Sequence, residues 1–152
     1  MQARGIEFYQ SRECFFKDGI CMQATIPQDM ELVLKVIPMP SDCNANGDIF
    51  GGWVMAHVDQ AASVLAAKAA NGRVATVAVK EFVFKQPVGI GDILSFFAKI
   101  ERVGRTSITI EVEVLAEPFL RQGAYKKVTE ATLTFVAIDE QGRPREVPHK
   151  AS

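Results

Sequence analysis

Polar and apolar residues alternate along much of the second half of the chain, in a pattern that predicts β-strands. Ile108, Ile110, Val112 and Val114 fall on one face of a strand, while the intervening positions hold serine, threonine and glutamate. A period of two is typical of an antiparallel strand with one buried face. The other face of the sheet is therefore expected to be wet or to contact a partner. The predicted strands are 31–37, 75–84, 93–103, 107–117 and 126–139.

A long apolar segment at 53–70 breaks this alternation and predicts a helix. Its polar residues are His57, Asp59, Gln60, Ser63 and Lys68. Because apolar atoms cover nearly the whole circumference, the helix is expected to be buried on most sides. The pair Asn71-Gly72 predicts its end, with glycine in the left-handed cap conformation.

The links between the strands indicate the class of fold. Residues 103–106 predict a tight hairpin, and residues 87–91 predict a longer one, so the strands they join are expected to be antiparallel neighbours. One strand, one helix and four further strands predict an α+β domain. A flat sheet covers only one side of such an apolar helix. We therefore expect a strongly curved antiparallel sheet wrapped around one long central helix.

The length of 152 residues suits one domain, which we place at 29–152. Residues 1–28 lack sustained periodicity and are interpreted as an extension that is poorly ordered or docked through its aromatic residues. Those aromatic residues are Phe8, Tyr9, Phe15 and Phe16.

Composition excludes several classes of protein. Lysine and arginine total 17 against 18 acidic residues, so no global positive field favours nucleic acid or a membrane surface. Three cysteines, Cys14, Cys21 and Cys43, do not form a metal-ligand spacing with the two histidines, His57 and His149. No metal is expected. No secretory signal or apolar membrane span is recognised, and a cytoplasmic protein with reduced thiols is predicted.

The segment 44–53 (NANGDIFGGW) and the helix that follows contain the candidate chemistry. The first amides of a helix have no partner inside it, and they lie at the positive end of its dipole. A glycine pair at this position leaves those amides open to a ligand. Asp59 lies one to two turns further along, which suggests a reaction site.

The stretch from Asn44 to Asp59 resembles the bacterial YciA-type acyl-CoA thioesterases. GRVATV from Gly72 and VGRTS from Val103 extend the similarity, which covers about 32–148. The resemblance implies a hot-dog fold and hydrolysis of acyl-CoA to a free acid and CoA, in fatty acid metabolism. It implies Asp59 at the reacting centre, with Asn44 near it and often contributed across a dimer interface. It also implies a homodimer as the functional unit, commonly in a trimer of dimers, a hexamer.

The residue types fit thioester chemistry. Backbone N–H groups around Gly52 and Trp53 are expected to receive the negative charge that develops on the carbonyl oxygen. Asp59 then either deprotonates a water or attacks directly to form a mixed anhydride, two routes that the sequence does not separate. The helix offers Asp59 only Ser63 as a nearby partner. No cofactor is implied, since coenzyme A is part of the substrate.

Each neighbouring polar residue has a structural alternative. Asp48 is interpreted as a helix cap or turn acceptor rather than a second catalytic acid. Asn44 either orients water or only shapes the loop. His57 is two positions from Asp59, so the two side chains point in different directions on a helix and do not form a dyad.

Coenzyme A also requires cations for its phosphates. Arg105, Thr106 and Ser107 form one candidate turn, and Lys85, Arg143 and Arg145 are further candidates, although exposed arginines are often only solvated. Phe82 and Phe84 fall on one strand face and either line an acyl or pantetheine tunnel or pack in the core.

Two other functions remain open from the sequence. A hot-dog hydratase or dehydratase acting on acyl thioesters would require an aspartate and a histidine placed together, which the separation of His57 from Asp59 disfavours. A non-catalytic acyl-CoA sensor would keep the cleft and lack a working carboxylate.

Overall fold

The computed structural model describes residues 23–148, so most of the predicted extension, with Cys14, Cys21 and His149, lies outside it. One helix, α1, spans Gly51–Ala70 and follows a short 3-10 turn at Pro40–Asp42. The strands are β1 Glu31–Val36, β2 Val74–Phe84, β3 Asp92–Val103, β4 Ser107–Pro118 and β5 Lys126–Ala137. No helix in this part of the chain is long and apolar enough to cross a membrane.

The five strands form one antiparallel sheet in the order β1-β3-β4-β5-β2, and α1 packs against all of them. The alternation predicted for β4 is confirmed, since its four aliphatic residues at 108, 110, 112 and 114 are fully buried in the core with Val58 and Ala62 of the helix. The α+β class and the packing of one long helix against an antiparallel sheet are therefore as expected.

One predicted strand pairing is wrong. The hairpin at 103–106 joins β3 to β4, and its turn is closed by the Gly104 N–H, which donates to the Ser107 carbonyl at 2.7 Å. Residues 87–91 do not form a hairpin, because β2 pairs with β5 and lies at the edge of the sheet. This link is instead bonded to the loop before the helix, where the Ile49 N–H donates to the Val88 carbonyl at 2.9 Å.

The helix ends also differ from the sequence expectation. Helix α1 begins at Gly51, and its left-handed C-cap is Asn71, with φ 47°, rather than glycine. Arg145 reaches back to this end of the helix, where its Nη2 donates to the Ala70 carbonyl at 2.8 Å. Gly72 has φ +155°, and a Cβ there would lie 2.7 Å from Arg145 Nη2, so a side chain would displace this capping arginine.

The helix is not buried on most sides within one chain. Met55 and Val64 are both exposed, with Val64 55% exposed. The adjacent edge strand β2 is also exposed along most of its length, including Val77 and Val79. Apolar helix residues therefore face outward beside an edge strand whose outer backbone groups have no strand partner in the described chain.

Candidate active site

Asp59 is half-buried on α1, and its partner comes from β2 rather than from the helix. The Thr76 Oγ1 hydroxyl donates to Asp59 Oδ1 at 2.7 Å. Ser63, the partner expected from the sequence, donates instead to the Gln60 carbonyl at 2.7 Å. A serine on a helix commonly bonds to a preceding carbonyl in this way. The carboxylate is thus oriented by a residue of the edge strand, and its other oxygen accepts no hydrogen bond from the described residues.

Asn44 shapes the loop that precedes the helix. Its Oδ1 accepts the Asn46 N–H at 2.9 Å and the Asp48 N–H at 3.2 Å, while its own N–H donates to the Asp48 carbonyl at 2.7 Å. These bonds close the turn that Gly47 completes with φ +80°. The loop-shaping alternative is therefore observed, and a role of the Asn44 Nδ2 group toward water stays a prediction.

Asp48 takes part in this turn but does not cap the helix. Its backbone N–H and carbonyl both bond to Asn44, and a β-bridge joins it to Gly89. The N-cap of α1 is Phe50, which makes no side-chain cap bond. Turn formation, one of the two roles expected for Asp48, is the one that its backbone fulfils.

The start of the helix leaves fewer amides open for the expected oxyanion hole. The Trp53 N–H donates to the Phe50 carbonyl at 3.0 Å, so the prediction that it is free for a ligand is wrong. The Gly51 and Gly52 N–H groups have no acceptor among the described residues, as expected for the first turn of a helix. A Cβ on Gly52 would meet no atom within 4 Å, so a side chain would fit at this position.

His57 does not face Asp59. Its Nδ1 lies 2.8 Å from the Trp53 carbonyl, its ring lies 3.8 Å from a Trp53 ring centroid, and Phe96 is the next aromatic neighbour. Since a carbonyl only accepts, this contact places the proton on Nδ1. His57 therefore has the structural role expected from its spacing, and the described chain holds no aspartate and histidine pair of the kind a hydratase needs.

A cleft of about 350 Å³ opens beside the glycine pair. Its apolar walls are Ile49, Val54, Phe84, Val88 and Val128. Its polar rim is Asn44, Asp48, Lys85 and Gln86. Apolar walls with a few polar groups at the rim are typical of a site that binds an organic ligand.

Asp59 is not part of this cleft within one chain. Eight residues separate it from Gly51, which at 1.5 Å per residue corresponds to about 12 Å along the helix. Gly51 lies against the Phe84 ring near the end of β2, whereas Asp59 is bonded to Thr76 near its beginning. The structure thus places Asn44 beside the start of the helix and the end of β2, and Asp59 near the middle of the helix and the beginning of β2.

The predicted substrate-binding residues are also divided between these ends. Phe84 and Lys85 line the cleft, with Lys85 paired to Glu130 at 2.7 Å, and Phe82 contacts Phe84 while packing on the core. Residues 105–107 lie at the β3–β4 turn. This turn is at the same end of the sheet as the beginning of β2.

Arg105 and Arg143 differ in the contacts that they make with the rest of the chain. The Arg105 guanidinium is largely exposed and lies 4.0 Å from a Glu146 oxygen. Arg143 is exposed, and its backbone N–H donates to Asp139 Oδ1 at 2.8 Å. Arg145, in contrast, is occupied in capping the helix. Phosphate contacts by Arg105, Thr106, Ser107 and Arg143 stay predictions.

Sequence reasoning missed several groups around the site, because each acts through a contact distant in sequence. Thr76 orients Asp59, Asp92 and Lys126 hold the link beside the cleft, and Glu117 is an almost fully buried acid at the end of β4. The only indication of these groups in the sequence was a polar residue within an otherwise apolar strand. Among residues 23–148, no group of histidine, cysteine and acidic side chains could hold a metal ion.

One long helix that bears a half-buried carboxylate and packs against an antiparallel sheet defines a protein of the hot-dog class. The family model of the thioesterase superfamily matches residues 46–118. The chain is 42% identical to acyl-CoA thioester hydrolase YciA of Escherichia coli (strain K12), over 81% of this chain and 94% of that protein. The chain belongs to the thioesterase superfamily, within the group of acyl-CoA thioester hydrolases.

Solved structures agree with this assignment. A hexameric thioesterase from Yersinia pestis is 43% identical with a TM-score of 0.76, covering 82% of this chain and 99% of that one. A hexameric hotdog fold thioesterase of Campylobacter jejuni is 38% identical with a TM-score of 0.75, covering 80% of this chain and 93% of that one.

Proposed function

We propose that this protein hydrolyses acyl-CoA thioesters to a free carboxylic acid and CoA. The observation that carries the proposal is Asp59, a half-buried carboxylate on the central helix that Thr76 holds through one oxygen while the other oxygen accepts no bond from the described residues. The open amides of Gly51 and Gly52 supply donors for a thioester carbonyl. Membership of the acyl-CoA thioester hydrolase group supports the same reaction.

Two routes use these groups. In the first, Asp59 takes a proton from water as the water oxygen bonds to the acyl carbon, and that proton then passes to the CoA sulfur as the C–S bond breaks. In the second, an Asp59 oxygen bonds to the acyl carbon and displaces CoA, and water then cleaves the anhydride. In both routes, negative charge develops on the carbonyl oxygen, where the helix N-terminal amides stabilise it.

We further propose that the complete site requires a homodimer. Strand β2 is an exposed edge strand, and a two-fold axis would pair it with the same strand of a second copy in antiparallel orientation. The beginning of one β2, where Thr76 binds Asp59, would then approach the end of the partner's β2, where Phe84 packs on Gly51. This arrangement joins the carboxylate of one protomer to the cleft of the other.

The assembly of relatives supports a larger oligomer as well. The Y. pestis and C. jejuni thioesterases are described as hexameric. Three dimers of the kind proposed here would give the same number of protomers. Light scattering or native mass spectrometry at assay concentration measures this number directly, and a monomer that retains full activity would contradict the shared site.

The test of the function is a thiol-release assay across acyl-CoA chain lengths with wild type and Asp59→Asn. We expect a loss of about 10²–10⁴-fold in kcat, because the amide neither accepts a proton nor attacks the acyl carbon. The same change at Asp29, an exposed acid that pairs with Lys99 and does not line the cleft, is expected to retain most of the activity. An Asp59→Asn protein that is folded, oligomeric and as fast as wild type would overturn the proposal. Loss of an enoyl chromophore without thiol release would indicate a hydratase instead.

A further inference from the structure

The wall of the cleft opposite the helix is a link of irregular backbone, residues 85–91. On the inner side, the Lys85 N–H donates to the Val128 carbonyl at 2.7 Å, and the Val88 carbonyl accepts the Ile49 N–H at 2.9 Å. The link contributes Pro87 and Val88 to the cleft lining. Because it is not a hairpin, no ladder of strand bonds fixes its position. The width of the cleft therefore depends on separate contacts.

A buried ion pair behind the link supplies such contacts. Asp92 is only 9% exposed, and its Oδ2 accepts the Gly89 N–H at 3.0 Å and lies 3.1 Å from Lys126 Nζ. Lys126 Nζ also donates to the Pro87 carbonyl at 3.1 Å. One carboxylate oxygen and one ammonium thus bind the link at two points. Neither Asp92 nor Lys126 lines the cleft, so they act on it from behind.

Losing either partner would loosen the link. Removing one member of this partly buried pair leaves the other charge uncompensated, and it also leaves the bond to Pro87 or to Gly89 unmade. The link, with Ile49 bonded to it, would then move relative to Val54 of the helix. Movement of Val88 and Pro87 changes the width of an apolar cleft, and cleft dimensions set which acyl chains fit.

We propose that Asp92 and Lys126 are positioning residues that fix the width of the cleft and thereby set acyl-chain selectivity. This inference rests on the proposed thioesterase function and on the acyl chain occupying the cleft lined by Val54, Val88 and Val128. The pair does not touch the thioester. Its effect is on the relative rates of different substrates rather than on the chemical step.

The experiment compares wild type with Asp92→Asn and Lys126→Met in the thiol-release assay, using a short and a longer straight-chain acyl-CoA. The measured quantity is the ratio of kcat/KM between the two substrates. Both variants are expected to change this ratio by about fivefold or more through KM, with kcat for the better substrate changed less. Lys126→Arg keeps the charge and is expected to restore the wild-type ratio.

Lys99→Met is the matched control. Lys99 has similar exposure to Lys126, and it pairs with Asp29 and Glu111, neither of which contacts the link. It is expected to leave the substrate ratio unchanged. If Asp92→Asn and Lys126→Met lower kcat/KM equally for all substrates, the pair is only structural and the inference is wrong. If wild type releases no thiol from any acyl-CoA, the proposed function fails instead. Should Asp92→Asn not fold, the Lys126 variants decide the question.

Discussion

Gly52 is the residue at which the proposed oxyanion contact can be tested without touching a side chain. Its N–H lies in the first turn of α1, where proline is tolerated because the amide has no helical acceptor. Gly52→Pro removes the donor, and we expect kcat to fall by about 10²–10³-fold, as for loss of one oxyanion-hole donor. Steady-state kinetics measure the change.

Gly52→Ala is the control for this prediction. It keeps the N–H, and its Cβ would contact no atom within 4 Å, so activity is expected to stay within a few-fold of wild type. Equal losses of kcat in the alanine and proline variants would show that the shape of the site, rather than the N–H group, is what matters. A proline variant as active as wild type would exclude Gly52 from the oxyanion site.

At the same scale, the sequence located Asp59 but not its surroundings. The spacing of Asp59 from the glycine pair is local and is visible in the sequence. Its hydrogen bond to Thr76 depends on how β2 packs beside the helix, and the competing local partner Ser63 bonds to a helix carbonyl instead. Trp53 was misassigned for a similar reason, since its N–H is used within the first turn.

At the scale of elements, periodicity predicted each strand but not the order of strands. The alternation of β4 follows from having one buried face, so its core residues could be identified directly. The partner of β2 could not, because pairing with β5 joins segments distant in sequence and the short link at 87–91 suggested β3. The exposure of Met55 and Val64 was not predicted either, since an apolar side chain on the surface cannot be told from a core side chain by its residue type.

The contacts of Glu117, at the end of β4, predict a pH dependence of stability. Burial raises the pKa of this carboxyl, but the Gly123 N–H at 2.7 Å, Lys35 at 3.1 Å and Tyr125 outweigh burial and hold the pKa below its ordinary value. A lowered folded pKa stabilises the protein above about pH 4.3, the unfolded value. This contribution is lost as the pH falls through the folded pKa.

Glu117→Gln is therefore expected to lower the free energy of unfolding at pH 7 by about 2 kcal/mol. The loss is not larger because Lys35 is partly exposed, so that solvent partly screens the ion pair. In acid, the difference from wild type is expected to disappear. Denaturant unfolding at fixed protein concentration measures both. Glu111→Gln, which breaks a more exposed pair with Lys99, is expected to cost under about 1 kcal/mol. A difference that is independent of pH would contradict the role of the Glu117 charge.

At the scale of the whole molecule, the proposed dimer accounts for the separation of Asp59 from the cleft. The edge strand β2 and the exposed residues of α1 form the surface on which we propose that a second copy docks. The carboxylate lies beside the beginning of β2, and the cleft lies beside its end. A two-fold axis exchanges the two ends, so an interface and two active sites would form together.

Mixing two inactive variants tests this arrangement. Asp59→Asn damages the carboxylate half of a site, and Gly52→Pro damages the amide half. If the halves come from different protomers, a mixed dimer contains one site with both changes and one with neither. Random exchange makes half of all dimers mixed, so activity is expected to recover to about one quarter of wild type. Differently tagged chains confirm exchange by native mass spectrometry. If Asp59 and Gly52 of the same chain formed the site, every site would remain damaged, and mixed dimers without recovered activity would establish that alternative.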